Sequence, residues 1–257
     1  MNERAALKSE TPAALWHLDD GRALFAGPLQ RNNLHRHSVP VYLAGLSGSF
    51  RLRIGGAEWL SCRTAVVPSG TLYEFDMGGE PLAVVYLEPN VGGADALAPL
   101  VGNAREVRRA LVGRTGEVAL LRRLYEERES RAEIGPILKE LTDFSRRKAL
   151  RHMDQRVARA VERLQQGDCA ATPVAAFADS VGLSASRFQH LFTEHVGVPF
   201  RRYRAWHRLR AAIREVVQGS SYTAAAHAAG FADQAHFARD FRRTFGAPAS
   251  RGLWRAS

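Results

Sequence analysis

The sequence predicts an α+β chain: an antiparallel β-barrel or sandwich first, then helices, then an all-α C-terminal part with two helix-turn-helix motifs joined by a linker helix. Three observations predict it. Apolar residues alternate with polar ones over short runs in the first hundred residues. From about Ala104 they recur at three- and four-residue intervals instead. Between Ser184 and Gly246, one pattern of cap, apolar stripe and glycine stop occurs twice.

The β reading begins at "GSFRLRIGG", where Phe50, Leu52 and Ile54 alternate with Arg51 and Arg53. That is the period of a strand with one buried face. "TAVVPSGTLYEF" and "PLAVVYLEP" add short strand-like runs broken by Pro and Gly, and several such runs in succession indicate a compact antiparallel sandwich or barrel. Residues 1–103 are expected to form this domain.

Residues 104–150 are expected to be helical. "AREVRRALV", "GEVALLRRLYEERES" and "IGPILKELTDFSRRKAL" carry apolar residues at amphipathic-helix intervals. Leu120, Leu121, Leu124 and Tyr125 form one stripe, and Ile137, Leu138, Leu141 and Phe144 another. Such stripes serve as core, or pair two copies of a chain. A homodimer is expected on this ground.

Residues 151–257 hold the repeat. From Ser184, Phe188, Phe192 and Val196 follow at steps of four, with Gly197 next; from Asp233, Phe237, Phe241, Phe245 and Gly246 follow at the same offsets. Ser and Asp cap helix N-termini by accepting free backbone N–H groups. A step of four keeps side chains on one helix stripe, and glycine provides the left-handed stop. "PVAAFADSVGL" and "YTAAAHAAGF" precede the two copies, each a short helix and a turn containing Gly182 or Gly230. Helix, tight turn and capped second helix is the helix-turn-helix layout. Between the copies, "PFRRYRAWHRLRAAIREVVQG" reads as a helix opened by Pro199 and ended by Gly219. Trp206, Leu209, Ile213, Val216 and Val217 line one face, while Arg201, Arg202, Arg204, Arg208, Arg210 and Arg214 crowd elsewhere. At 1.5 Å per residue the connector is ~28 Å long, suited to holding two readers near successive major grooves about 34 Å apart.

Charge agrees with that partner. The net charge is +10, and residues 151–257 contain 16 Arg, no Lys and 8 acidic groups, so this part carries +8 of the excess. A concentrated basic excess favours an anionic partner, here double-stranded DNA. No apolar run reaches the ~20 residues of a membrane span, and the N-terminus has no apolar signal core. Cys62 and Cys169 are far apart with no metal spacing, which fits a cytoplasmic protein. Neither a Gly-rich phosphate loop nor a nucleophile constellation is present; Ser69 and Cys62 have no partnered base in view. No enzyme activity, catalytic residue or cofactor is expected.

The repeat, in "VGLSASRFQHLFTEHVGVPFRRYRAWHRLRAA" and "AAGFADQAHFARDFRRTFGAPAS", closely resembles the AraC/XylS family of bacterial transcription regulators. The tail departs from the family pattern, offering Arg251 and Trp254 in "GAPASRGLW" where a Tyr-Arg pair is usual. The resemblance implies that each second helix enters the major groove. By matching positions, Ala185, Ser186, Gln189 and His190 of the first reader and Gln234, Ala235, His236 and Arg239 of the second would face the bases. Gln can pair with adenine and Arg with guanine. Arg187, Arg201, Arg202, Arg242 and Arg243 would meet phosphates. The resemblance further implies transcriptional activation through contact with RNA polymerase.

The first domain resembles the cupin-like sensor often attached to this family, through "NNLHRHSVP" and "PSGTLYEF". His35 and His37 are two apart and would share a strand face, as two metal ligands do. A metal-binding cupin wants a Glu where Val41 and Tyr42 stand, and a third His where Tyr73 stands. The leading reading is therefore no metal, and a small-molecule effector pocket using His35, His37 and Tyr73; a plainly structural role for the three is the alternative. The favoured function is a sequence-specific DNA-binding regulator modulated by an effector or by dimerisation. A metal-dependent cupin enzyme with a DNA-binding tail and an architectural DNA binder are the rival readings.

Overall fold

The computed structural model describes residues 14–127, 131–146, 153–167 and 172–253; Cys169 and Trp254 lie outside them. Strands come first: β1 (Leu15–Leu18), β2 (Arg22–Pro28), β3 (Arg31–His35), β4 (Val41–Gly45), β5 (Phe50–Ile54), β6 (Leu60–Cys62), β7 (Thr64–Val67), β8 (Tyr73–Asp76) and β9 (Pro81–Leu87). Short strands β10 (Val101–Gly102), β11 (Arg105–Val107), β12 (Ala110–Gly113) and β13 (Thr115–Gly116) follow.

Two antiparallel sheets carry the domain, in the orders β1-β2-β9-β4-β7-β12-β11 and β3-β8-β5-β6, with β10 and β13 as a separate pair. The hydrogen bonding does not run continuously around the domain, so it is a two-sheet sandwich and not a closed barrel. Phe50, Leu52 and Ile54 point inward as their alternation predicts, against Val41, Leu43, Val84 and Phe25 of the facing sheet. The other face of the seven-stranded sheet is also covered: Leu24, Tyr42, Val85 and Leu87 pack under helices α1 (Ala119–Glu127) and α2 (Arg131–Arg146). Burial on both faces is why β4 has no exposed position.

The helical reading of "AREVRRALV" is corrected. It is a β-hairpin, with Val107 opposite Ala110 and with Arg108 and Arg109 at positive φ (47° and 71°) in the turn. Two residues at positive φ make the turn that suits the twist of a hairpin. Ala110 and Val112 are buried where β12 pairs with β7, and that pairing overrides the local helical spacing. Farther on, Leu121, Leu124 and Tyr125 are core as predicted. In α2 the buried face is Ile134, Leu138, Thr142 and Ser145, so Ile137 and Leu141 are half-buried and Phe144 is 50% exposed.

Seven helices complete the chain among the described residues: α3 (Gln155–Gln165), α4 (Val174–Asp179), α5 (Ala185–Val196), α6 (Phe200–Val217), α7 (Tyr222–Ala228), α8 (Gln234–Phe245) and α9 (Ala249–Gly252). Their apolar faces merge with the inner core of the β-sandwich. No helix among the described residues is long and apolar enough to cross a membrane.

Candidate nucleic-acid interface and its docking on the β domain

The two helix-turn-helix units are built alike. Ser184 Oγ accepts from the Arg187 backbone N–H at 3.3 Å, and Asp233 Oδ1 accepts from that of His236 at 2.6 Å. Gly182 and Gly230 make the preceding turns at φ 68° and 76°. Phe188, Phe192 and Val196 bury the inner stripe of α5; Phe237, Phe241 and Phe245 bury that of α8. Gly197 (φ 84°) and Gly246 (φ 70°) end the two helices in the left-handed region. Helix α6 joins the units over 18 residues, about 27 Å.

The burial of each stripe turns the opposite face outward. On α5, Ser186, Gln189 and His190 are exposed and Ala185 is half-buried; on α8, Gln234, Ala235 and Arg239 are exposed and His236 is half-buried. Thr223 Oγ1 donates to Gln234 Oε1 at 2.9 Å, which holds the amide oxygen. His236 Nε2 lies 3.8 Å from Asp240, which also faces Arg208 at 3.7 Å. Arg187, Arg201, Arg242 and Arg243 are exposed. Arg202 instead turns to the β domain, donating to the Arg36 carbonyl at 3.4 Å, while Ser38 Oγ donates to the Arg202 carbonyl at 3.2 Å.

How the readers are held is not foreseen from the sequence. Both C-terminal ends dock on the β domain. Ser69 Oγ donates to the Val196 carbonyl at the end of α5. Asn32 Nδ2 donates to the Phe245 carbonyl at 2.7 Å, and the Asn33 backbone N–H donates to that of Gly246 at 3.0 Å. Between these points lies Glu88, just past β9 and 1% exposed. It accepts from Arg210 (2.5 Å), Trp206 Nε1 (2.9 Å) and the Tyr203 hydroxyl, with His207 Nε2 at 3.6 Å. Arg210 also donates to the Asp19 and Arg22 carbonyls. Burial alone would raise the Glu88 pKa, but His207, Arg210 and Tyr203 outweigh it and bring it down to about 2. Arg210, read from sequence as one of the arginines that crowd away from the apolar face of this helix, is thus a buried partner. The only signal in the sequence was its place four residues after Trp206 and one after Leu209.

His35, His37 and Tyr73 do come together. β3 ends at His35, so the strand-face argument does not account for His37; a register irregularity between Asn32 and His35 and the following loop bring it to the same side. The ring centroids are 5.0 Å apart for the two His and 4.4 Å for His35 and Tyr73. They line a cavity of about 40 Å³ with Trp16, Tyr86 and Phe245. Burial lowers the His35 pKa to about 4, against smaller raising effects of the Asn33 carbonyl and Glu74. Burial, then His35 and Arg202, lower that of His37; burial, then Tyr86, raise that of Tyr73. All three are neutral near pH 7. Tyr42 points to the other side of its sheet, donating to the Leu100 and Glu117 carbonyls. Among the described residues no three His, Cys, Asp or Glu are grouped to hold a metal ion.

Residues 177–252 match the family model described as a helix-turn-helix domain. No curated protein sequence matches the chain. Its fold is similar to that of ToxT from Vibrio cholerae. An apo form of a single-residue ToxT variant from strain SCE256 has a TM-score of 0.63 at 13% identity, covering 92% of this chain and 98% of that one. The unsaturated-fatty-acid-bound wild-type form gives 0.58 at 13% over 94% and 98%. ToxT from strain O395 bound to (E)-4-(8-methylnaphthalen-1-yl)but-3-enoic acid gives 0.60 at 12% over 92% and 100%. The C-terminal part of the chain is thus a helix-turn-helix domain, and with the β domain ahead of it the whole has the fold of ToxT.

Proposed function

We propose that the chain is a sequence-specific transcriptional regulator that reads two successive major grooves with α5 and α8. The observation that carries this reading is the duplicated unit: two readers with matched caps and stops, each with its inner stripe buried and polar side chains outward. Ala185, Ser186, Gln189 and His190, and Gln234, Ala235, His236 and Arg239, are the base-facing set; Arg187, Arg201, Arg242 and Arg243 are phosphate contacts. Arg202 joins the phosphate set once it leaves the β domain. Residues from 151 onward form the DNA-binding part, and the β-sandwich is its sensor.

The sensor's ligand is a small molecule in the cavity of His35, His37 and Tyr73. Three buried polar atoms there without hydrogen-bond partners support this, namely His35 Nε2, His37 Nδ1 and the Tyr73 hydroxyl. The ligands in the ToxT structures support it too. The half-exposed row of Ile137, Leu141 and Phe144 on α2 supports a homodimer. The protein acts in the cytoplasm, as an activator in contact with RNA polymerase, and carries out no catalytic step. Binding of the full chain to DNA upstream of its own gene and to random DNA, across salt concentrations, tests the reading. A preference for the upstream DNA that persists at physiological salt is expected. Enzymatic turnover without any DNA binding would overturn it.

A further inference from the structure

The cavity is largely filled by the protein's own DNA-reading end. The Phe245 ring from α8 lies 5.4 Å from His37, 6.0 Å from Tyr86 and 6.1 Å from Trp16, edge-on to each. What remains is about 40 Å³, room for a few waters but well short of the ~150 Å³ that holds a benzene. A ring-sized ligand can enter only where Phe245 now sits.

The polar end of the cavity has a defined hydrogen-bond demand. The Asn33 carbonyl, an acceptor, is 2.7 Å from His35 Nδ1, so that nitrogen carries the proton. The imidazole is neutral, with its pKa near 4, and Nε2 is left as a bare acceptor, buried and unpartnered. The Tyr73 hydroxyl stays protonated and is an unpartnered donor. A group that answers both must donate to His35 Nε2 and accept from Tyr73. A hydroxyl does this; a carboxylate cannot donate, and it would bury a charge among residues lining the cavity that include no Lys or Arg.

Resting on the reading of this cavity as the effector site, we infer that the effector is a small uncharged aromatic alcohol of the phenol class. Its ring replaces that of Phe245 in the cage of Trp16, Tyr86 and His37, and its hydroxyl bridges His35 Nε2 and Tyr73. Entry displaces the end of α8, whose Phe245 and Gly246 carbonyls are held by Asn32 and Asn33. Effector binding and docking of the second reader are therefore mutually exclusive, and each weakens the other.

The test is calorimetric titration of the full chain with p-cresol, 4-methylanisole, 4-methylbenzoate and decanoate. The expected order puts p-cresol about tenfold tighter than 4-methylanisole, which accepts but cannot donate, and tighter still than either carboxylate. Phe245→Ala removes the competing ring and should bind p-cresol at least ~10-fold better than the wild type; Phe245→Leu, which keeps more of the packing, should show a smaller gain in the same direction. Tyr73→Phe should weaken p-cresol about three- to tenfold. Equal p-cresol affinity in wild type and both Phe245 variants, or in Tyr73→Phe, would overturn the inference. Tighter binding of a carboxylate would remove the phenol class but leave an effector site. Binding of none of the four probes to the Phe245 variants would remove the effector reading itself.

Discussion

Replacing Glu88 by Gln tests how the readers are held. Glu88 is an anion with no access to water, and Arg210 is the cation that answers it at 2.5 Å. The amide is of similar shape: its oxygen can take the Oε1 place and accept from Trp206 while its NH2 takes the Oε2 place and donates to the Tyr203 hydroxyl oxygen, so packing is little changed. The charge is lost, however, and Arg210 is left buried against the neutral carbonyls of Asp19 and Arg22. Removing one member of a buried pair costs about 3–5 kcal/mol; the retained neutral bonds place Glu88→Gln at the low end, a factor of about 150 in the docking equilibrium. The helical part has its own aromatic core in Phe188, Phe192, Phe237 and Phe241, so the loss should appear as separation from the β domain and not as unfolding. Amide hydrogen exchange should rise in the face of α6 around Arg210, and solution scattering should show a larger radius, with helix content unchanged. The double replacement Glu88→Leu with Arg210→Met, which fills the site with apolar atoms, should restore much of the docking. Wild-type exchange and scattering in Glu88→Gln would refute the argument that this carboxylate holds the interface.

Other outcomes follow from the same contacts. Because the docked Glu88 pKa of about 2 lies below its ordinary value of 4.5, its contribution is full above about pH 4.5 and is lost as pH falls towards 2. Scattering across that window should show the wild type opening and Glu88→Gln responding less. Gly246→Ala should lower the melting temperature and loosen α8, since φ is 70° and a Cβ would stand 2.6 Å from His35 Nδ1. Phe237→Ala, at a fully buried position of the α8 stripe, should cost about 3–5 kcal/mol in chemical denaturation. Arg239→Ala should relax preference at one base pair by ~1–3 kcal/mol in competition binding, whereas Arg242→Ala should weaken all sequences alike and reduce the salt slope by about one.

The parts of this molecule most legible in the sequence are those whose determinants are local. Caps, stripes and stops of α5 and α8 are each decided within 14 residues, and Ser184, Asp233, Gly197 and Gly246 do what their spacing predicts. The strand at Phe50–Ile54 was legible because one of its faces meets solvent. β4 was not, since both faces are buried and no alternation survives. The β11–β12 hairpin was hidden because its turn uses Arg108 and Arg109 in place of Asn-Gly, while its strand character comes from pairing with β7, more than 40 residues earlier. His35, His37 and Tyr73 were found as a group, although His37 arrives through a loop and not along the strand. The Glu88 cluster was illegible for a different reason: Glu88 is over 110 residues from each of its partners, and a lone Glu after a strand has the same appearance whether solvated or buried.

Two readers engaging one duplex is the central claim, and selection of binding sites from a random DNA library by the full chain measures it most directly. Enrichment is expected of a site with two conserved segments centred about one helical turn, 10–10.5 bp, apart. Alanine at Gln189 and His190 should erase one segment, and alanine at Gln234 and Arg239 the other. A library that emerges unenriched, or one short segment insensitive to either pair of replacements, would contradict it.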